Sequence, residues 1–208
     1  MLVLAGLGNP GPKYAAQRHN FGFMAVDALA ARWDFGPERS RFQGLAREGT
    51  IPTPAGPVRA LLLKPQTFMN ESGRSVGDAL AFYKVGLPNL VIFHDELDIA
   101  PGRFRMKLGG GMAGHNGLRS IGARLGPDFR RARLGIGHPG HKDLVLHYAL
   151  ADFPKAERPW VEALCSACAG AAPLLAAGED ERYQSEVSRL APAEKLDSRA
   201  ANRERLER

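Results

Sequence analysis

The first twenty residues, MLVLAGLGNPGPKYAAQRHN, constrain the fold more than any other stretch of this sequence. Residues 2–5 form a short apolar run without polar alternation, which is typical of a strand covered on both faces in an α/β sheet. Three glycines and Pro10 follow at positions 6–11, so the strand must end in a sharp turn. This arrangement predicts that Asn9 lies at the carboxyl end of a buried strand, where open α/β sheets bind their ligands.

Apolar runs that end in polar residues recur along the chain and predict further strands. The predicted strands lie at 2–5, 58–65, 90–93 and 132–142. An additional edge strand carries Arg103, Arg105 and Lys107 in alternation. Residues 37–57 mix turn residues with charges, which predicts an irregular or hairpin segment at one edge of the sheet.

Helical spacing of apolar residues separates these strands. The predicted helices lie at 21–33, at 76–86, from about Asn116 onward and from about Pro154 onward. With 208 residues and 44% hydrophobic content, the chain suits one compact α/β domain, which we assign to 1–190. Residues 191–208 are highly charged and have little to bury, so we expect a tail that is helical and frayed, or disordered.

Composition also restricts the cellular setting. No apolar run approaches the roughly 20 residues of a membrane helix, and the N-terminus lacks the basic flank of a signal peptide. We therefore expect a cytoplasmic protein without a membrane partner. The two cysteines, Cys165 and Cys168, lie in an alanine-rich helical stretch, and two small buried residues are favoured there over a metal or redox pair.

The positive charge of the chain is concentrated in one segment. Between Arg103 and Lys142 there are nine Lys or Arg residues and a single acid, Asp128. This segment carries +8 while the whole chain carries +6, so the remainder carries −2. A local basic surface on a nearly neutral body indicates a polyanionic partner, with nucleic acid first among them. An ordinary solvated basic face accounts for the charge count equally well.

Polar residues at strand ends and in the glycine-rich connection suggest hydrolytic chemistry. If the core of the sheet is parallel, these side chains converge: Asn9, His19, Asn70, Asp95, His115 and Asn116. A His with a carboxylate partner forms a general-base pair that takes a proton from water, and His19 with Asp95 is the best pairing. The amides of Asn70 and Asn116 suit the orientation of that water or of a developing oxyanion.

Other chemistries find less support in the sequence. No GxSxG elbow is present and neither cysteine is near the polar loops, which favours direct attack by water. The segments HDELD and HPGH offer metal ligands without the spacing of a known site, so we expect no metal. The acids of HDELD can also serve as turn caps. Structural roles are favoured for four histidines: His94, His138, His141 and His147.

The glycine-rich segments do not fit a nucleotide-binding motif. GLGNPG follows a predicted strand, but Pro10 and Pro12 interrupt the helix entrance that would hold a pyrophosphate. LGGGMAGHNG has no Lys-Ser or Lys-Thr after its glycines, as a P-loop requires.

Five segments, in this order and at these separations, closely resemble the bacterial peptidyl-tRNA hydrolase family: GLGNPGPKYAAQRHNFGF, KPQTFMNESG, HDELD, LGGGMAGHNGLRSI and RARLGIGHPGHK. The resemblance covers roughly residues 1–150. It implies a single α/β domain with a twisted mixed sheet flanked by helices, and a cofactor-free monomer. The implied reaction is hydrolysis of the ester between the C-terminus of a peptide and the 3′-terminal ribose of tRNA, which recycles the tRNA.

The resemblance also implies roles for individual residues. His19 matches the proton acceptor of the family and Asp95 the carboxylate that keeps it basic. Asn9 matches the position that distinguishes the blocked nitrogen of a peptide from a free aminoacyl amine. Residues that match contacts to the tRNA 3′ end or the peptidyl group are Tyr14, Phe68, Asn70 and Asn116, with Met69 beside them. The residues that match phosphate contacts of tRNA are Arg105, Lys107, Arg133 and Lys142.

Two regions depart from the family pattern. Met112 and Ala113 replace residues that are His or Ser, and Gly, in some members, which alters the gate over the peptide groove. The C-terminal region lacks the usual closing pattern of the family.

Two other functions compete with hydrolysis of peptidyl-tRNA. One is that of a binding protein that kept the basic face but lost hydrolysis, and the other is that of a nucleotide-dependent oxidoreductase. Turnover of peptidyl-tRNA and titration with NAD(H) distinguish them.

Overall fold

A seven-stranded mixed sheet forms the centre of the molecule in the computed structural model, which describes residues 1–192. The order across the sheet is β2-β3-β4-β1-β5-β7-β6. The strands are β1 (Leu2–Gly6), β2 (Arg39–Arg41), β3 (Gly44–Ile51), β4 (Val58–Pro65), β5 (Leu90–Glu96), β6 (Phe104–Leu108) and β7 (Arg130–Gly135). The four central strands β4, β1, β5 and β7 are mutually parallel, while β2, β3 and β6 run antiparallel to their neighbours. The predicted single α/β domain with a largely parallel core is confirmed.

Helices cover both faces of this sheet. They are α1 (Phe21–Arg32), α2 (Ser72–Tyr83), α3 (Asn116–Leu125), α4 (Val145–Leu150), α5 (Arg158–Gly170), α6 (Ala172–Ala176) and α7 (Asp180–Leu190). One apolar core joins α1, α5 and α7 to one face, and a second core joins α2 and α3 to the other. Both cores draw on alternate residues of β1: Leu2 and Leu4 face one, and Val3 and Ala5 face the other. This double burial explains the apolar run at the start of the sequence.

The parallel register brings the carboxyl ends of the central strands to one edge. Gly6 of β1 is aligned with Phe93 of β5, and Asp95 of β5 with Leu134 of β7. The Leu7 amide donates to the Phe93 carbonyl at 2.9 Å, which extends β1 to the start of the glycine-rich turn. The turns that follow β1, β4 and β5 therefore lie side by side.

Several predicted boundaries were wrong. The strand predicted at 90–93 continues through Glu96, so the HDE residues belong to a buried strand. The helix predicted at 76–86 spans Ser72–Tyr83 instead, because Lys84 adopts the left-handed conformation (φ 53°) and ends it. The helix predicted from Pro154 begins at Arg158.

The structure differs from the prediction for one further segment and agrees with it for another. The strand predicted at 132–142 starts two residues earlier, at Arg130, and ends at Gly135. Residues 37–57 form the antiparallel hairpin of β2 and β3 at one edge of the sheet. Of the predicted tail over 191–208, residues 193–208 lie outside the described residues, and the division at residue 190 stays a prediction.

The two cysteines lie in the core that α1, α5 and α7 form on one face of the sheet. Cys165 and Cys168 are both buried on α5 with free thiols. Burial raises the pKa of the Cys168 thiol to about 12, so this group is uncharged and unreactive at neutral pH. Within residues 1–192, none of the helices combines the length and the apolar character needed to cross a membrane.

Close packing of α1 on the sheet depends on Gly22. A Cβ atom on this residue would lie 2.3 Å from the Phe93 carbonyl oxygen and 2.4 Å from the Leu7 nitrogen. Because both neighbours are backbone atoms of the sheet, they cannot move aside. The first turn of α1, which follows His19 directly, is thereby held against β1 and β5.

We expect Gly22→Ala to lower the free energy of unfolding by about 1–3 kcal/mol, since the added methyl group forces α1 away from the sheet. Urea denaturation followed by circular dichroism measures this difference. Gly86→Ala is the matched control, because a Cβ there meets only the Pro88 ring at 3.6 Å. Equal stability of the two variants would contradict the packing argument.

Candidate active site

His19 lies in a short 3₁₀ turn, Arg18–Asn20, between β1 and α1. The neighbouring Arg18 anchors this turn: its guanidinium donates to the Asp152 carbonyl at 3.0 Å and to the Glu157 carboxylate at 2.9 Å. The same guanidinium stacks 4.3 Å from the centroid of the Tyr148 ring. The position of the His19 ring is thus fixed by a buried cation on one side and by α1 on the other.

Asp95 receives the ring of His19. The Nδ1 atom of His19 is 3.0 Å from both carboxylate oxygens of Asp95. Burial by itself lowers the pKa of His19, but the charge and hydrogen bond of Asp95 outweigh it, and the net pKa is raised above its ordinary value. The sequence predicted this pair, and the structure brings the two groups together.

A second imidazole binds the same carboxylate. The Nε2 atom of His115 is 3.1 Å from Asp95 Oδ1. Its Nδ1 atom faces the first amides of α3 and accepts from the N–H groups of Gly117 at 3.2 Å and Leu118 at 3.4 Å. Because Nδ1 is an acceptor, the proton of neutral His115 is assigned to Nε2, which donates to Asp95.

The same reasoning assigns the proton of neutral His19. With Asp95 ionised, Nδ1 of His19 is the donor, and its Nε2 keeps a free lone pair. Burial by itself raises the pKa of Asp95, but the two histidines hold it well below its ordinary value. Asp95 is therefore an anion that accepts two N–H groups, which fixes both rings.

His94, next in the chain to Asp95, has a different character. Its Nδ1 donates to the Asp95 carbonyl at 2.8 Å, and the residue is 1% exposed. Burial, with a contribution from His115, lowers its pKa to about 3, so the ring is neutral at physiological pH. This agrees with the structural role predicted for His94.

Asn9 is held by three hydrogen bonds at the end of β1. Its backbone N–H and C=O pair with the side chain of Asn20 at 2.9 and 3.0 Å. Its Oδ1 accepts from the Met69 amide at 2.9 Å. The orientation of the Asn9 amide is thereby fixed, and within residues 1–192 no group accepts a hydrogen bond from its Nδ2.

The loop after β4 joins the same region. Met69 is buried, while Phe68 and Asn70 are exposed on either side of it. A Cβ on Gly117 would lie 2.6 Å from Met69 Sδ, so the loop after β4 packs directly on the first turn of α3. Asn70 directly follows Met69, and the exposed Asn116 directly precedes Gly117. The two asparagines therefore flank the contact between Met69 and Gly117.

Other predicted residues lie outside this cluster. Tyr14 is partly exposed in the 3₁₀ turn Pro12–Tyr14, with Lys13 Nζ 4.8 Å from its ring centroid. Arg105 and Lys107 are exposed on the edge strand β6, and Lys142 is exposed at the start of the turn Lys142–Leu144. Arg133 on β7 is partly exposed, and its Nη1 atom lies 3.8 Å from Oε2 of Glu96.

The sequence places His115 among the polar loops but does not indicate its role. Its contact with Asp95 depends on the path of the glycine-rich loop, which the sequence alone does not determine. The available signal is its position directly before the predicted helix, where a side-chain acceptor caps the first amides.

In the described part of the chain, His19, Asp95 and His115 also form a cluster whose ligand atoms could hold a metal ion. The ligand atoms of His19, Asp95 and His115 lie within 4.8 Å of one another. However, a metal ion on His115 Nε2 would leave the proton on Nδ1, which faces the N–H donors of α3. The hydrogen bonds of the cluster therefore suit protons better than a cation.

We expect Asp95→Asn to move the pKa of His19 from above to below its ordinary value of 6.5, because burial remains while the carboxylate is lost. An NMR titration of the imidazole resonances measures both values. Matching circular dichroism spectra of the two proteins control for a retained fold. An unchanged pKa of His19 would show that the carboxylate does not govern this ring.

Comparison with known proteins identifies the family of this chain. A family model described as peptidyl-tRNA hydrolase matches residues 3–196. The peptidyl-tRNA hydrolase of Phenylobacterium zucineum is 65% identical over 199 residues, covering 96% of this chain and 95% of that protein, and the one of Caulobacter vibrioides is 61% identical, covering 96% and 97%. The crystal structure of peptidyl-tRNA hydrolase from Acinetobacter baumannii has a TM-score of 0.83 at 38% identity, covering 90% of this chain and 94% of that chain. The chain belongs to the peptidyl-tRNA hydrolase family.

Proposed function

We propose that this protein hydrolyses the ester between the C-terminus of a peptide and the 3′-terminal ribose of tRNA, with His19 as general base. Membership of the family supports the reaction. The observation that carries the proposed mechanism is the hydrogen bonding of Asp95, which directs the Nδ1 proton of His19 inward and leaves Nε2 basic.

In this mechanism His19 Nε2 takes a proton from a water molecule, and the resulting hydroxide attacks the carbonyl carbon of the ester. Asp95 stabilises the imidazolium that forms. Collapse of the tetrahedral intermediate breaks the bond to the ribose oxygen, and the imidazolium returns its proton to that oxygen. The products are a free peptide and tRNA with an intact 3′ hydroxyl group.

The amides around this pair position the substrate. Asn70 and Asn116 are exposed beside the contact between Met69 and Gly117, where neutral donors can orient the water or the developing oxyanion. Phe68 is 57% exposed and offers an apolar face to the 3′-terminal nucleotide, and Tyr14 is the corresponding candidate on the β1 side.

Asn9 provides selection for a blocked amino group. Because its Oδ1 is occupied by the Met69 amide, its Nδ2 is directed to an acceptor in the substrate. The carbonyl group that acylates the nitrogen of a peptide supplies that acceptor. A free aminoacyl-tRNA has an ammonium group instead, which places a donor against a donor and leaves the buried amide unpaired.

The reaction proposed here needs no metal or other cofactor. The acid–base pair supplies the nucleophile from water, and the tautomer of His115 opposes coordination at the one candidate cluster of the described residues. We further propose that the protein acts as a monomer in the cytoplasm, in the recycling of tRNA for translation.

Exposed cations on one flank of the site would bind the phosphates of tRNA. Arg105 and Lys107 on β6 are exposed, Arg133 on the neighbouring strand β7 is partly exposed, and Lys142 is exposed in the turn Lys142–Leu144. Phosphate contacts of this kind displace condensed counterions, so affinity depends on salt concentration.

We expect His19→Ala to lower kcat/KM for an N-blocked aminoacyl-tRNA by at least about 100-fold, since general-base catalysis contributes that much. Release of the blocked amino acid, with a metal chelator present, measures turnover, and equilibrium titration with uncharged tRNA measures binding. His147→Ala on the surface is the control. Undiminished turnover by the His19 variant would refute the mechanism, and retained tRNA binding without turnover in the wild-type protein would favour a binding function.

For the basic flank we expect Lys142→Ala to raise KM and to reduce the slope of log KM against log salt concentration by about one unit, because one phosphate contact is lost. Steady-state kinetics between low and moderate salt measure the slope. Arg32→Ala, at an exposed cation in the last turn of α1 and therefore at the end of this helix remote from His19, should leave the slope unchanged. Equal slopes for the wild-type protein and the Lys142 variant would remove this residue from the tRNA interface.

A further inference from the structure

Arg131 on β7 is a buried cation with unusual partners. The residue is 2% exposed, and its guanidinium stacks 4.7 Å from the centroid of the Phe129 ring. It donates to the carbonyl groups of Gly111 at 2.6 Å, Gly110 at 2.8 Å and Pro127 at 3.2 Å. Among residues 1–192 it forms no ion pair, so its direct polar partners are backbone carbonyls, while the carboxylates of Glu96 and Asp128 act on its charge from beyond ion-pair distance.

Two of the carbonyl groups that Arg131 binds, those of Gly110 and Gly111, belong to the glycine-rich loop 109–114. Four residues of this loop have left-handed backbone conformations, including Gly110 at φ 89° and Ala113 at φ 46°. Glycines lose much conformational freedom on ordering, so such a loop needs strong local contacts to keep one conformation. A planar guanidinium that reaches several carbonyl groups at once supplies these contacts.

This loop leads directly to the site. Met112 Sδ lies 3.5 Å from the Arg131 guanidinium, and the Met112 carbonyl accepts from the amide of His115 at 2.8 Å. His115 then caps α3 and donates to Asp95. Hydrogen bonds and the short chain segment between them therefore link Arg131 to His115, the second imidazole.

We propose that Arg131 is a positioning residue, which holds the loop 109–114 so that His115 meets Asp95 and Asn116 faces the substrate. The effect on turnover rests on the hydrolase function proposed above. Arg131 forms no hydrogen bond with His19 or Asp95 and positions His115 through the loop. Its burial excludes the phosphate contact that its place in the basic segment of the sequence suggests.

The first test is Arg131→Lys. A lysine keeps the charge but presents a single ammonium group, which cannot bind the carbonyls of the loop in the same plane. We expect kcat to fall by about 10- to 100-fold, as small displacements of catalytic groups do, with little change of KM for tRNA. The ¹⁵N chemical shifts of His115, which report which nitrogen carries the proton, should change from one tautomer to a mixture.

Arg130→Lys is the matched control. Arg130 is the preceding residue of β7, is also buried, and binds Asp180 and the Leu175 carbonyl away from the site. The same substitution there should lower thermal stability and leave kcat and the His115 resonances unchanged. If both variants lose kcat equally, or neither changes the His115 signals, Arg131 has only a structural role and the proposal is overturned.

Gly110→Ala tests the same link without changing the arginine, should Arg131→Lys fail to fold. An alanine at φ 89° is strained, and relief of that strain displaces the carbonyl that Arg131 binds. We expect the same loss of kcat and the same change at His115. Gly56→Ala, at φ 112° in a remote turn with open space around it, is the control for backbone strain.

The two proposals fail in different ways. Wild-type protein without turnover would refute the hydrolase function, while the tautomer of His115 in the Arg131 and Gly110 variants still tests the positioning role. Altered KM with unchanged kcat and unchanged His115 signals would instead make Arg131 a binding residue, which contradicts the proposal.

Discussion

The ionised carboxylate of Asp95 is the group on which the site depends. It is 4% exposed, so its charge is costly unless hydrogen bonds replace the lost water. The two N–H groups that replace it come from distant parts of the chain, His19 after β1 and His115 after β6. Loss of either ring leaves a buried anion with one partner, at a cost of about 1–3 kcal/mol or more. The hydrogen bonds that assemble the site therefore also stabilise this edge of the sheet.

Much of this arrangement is predictable because the central strands are parallel. Once apolar runs that end in polar residues are identified, the rule that ligands bind at the carboxyl ends brings Asn9, His19 and Asp95 together. The role of His115 is not predictable in this way, because it requires the Nδ1 acceptor to be placed against the amides of α3. That placement follows from the path of a loop with left-handed glycines, for which the sequence indicates freedom but not direction.

The charge of the basic segment illustrates a different limit. Nine Lys or Arg residues between 103 and 142 predict a basic surface, but Arg130 and Arg131 are buried. Composition cannot separate a cation that faces solvent from one that stacks on an aromatic ring and binds carbonyls. Alternation along β7 does not separate them either, because Arg131 and Arg133 share a face of the strand and differ only in what covers them.

The two imidazoles depend on two buried arginines that act alike. Arg18 fixes the turn of His19 through Glu157 and the Tyr148 ring, and Arg131 fixes the loop of His115 through carbonyls and the Phe129 ring. The difference lies in neutralisation, since Arg18 has a carboxylate partner and Arg131 has none among the described residues. The charge of Arg131 adds to burial and to His115 in lowering the pKa of His94. His94 thus stays neutral, and the charge of Asp95 interacts with the rings of His19 and His115.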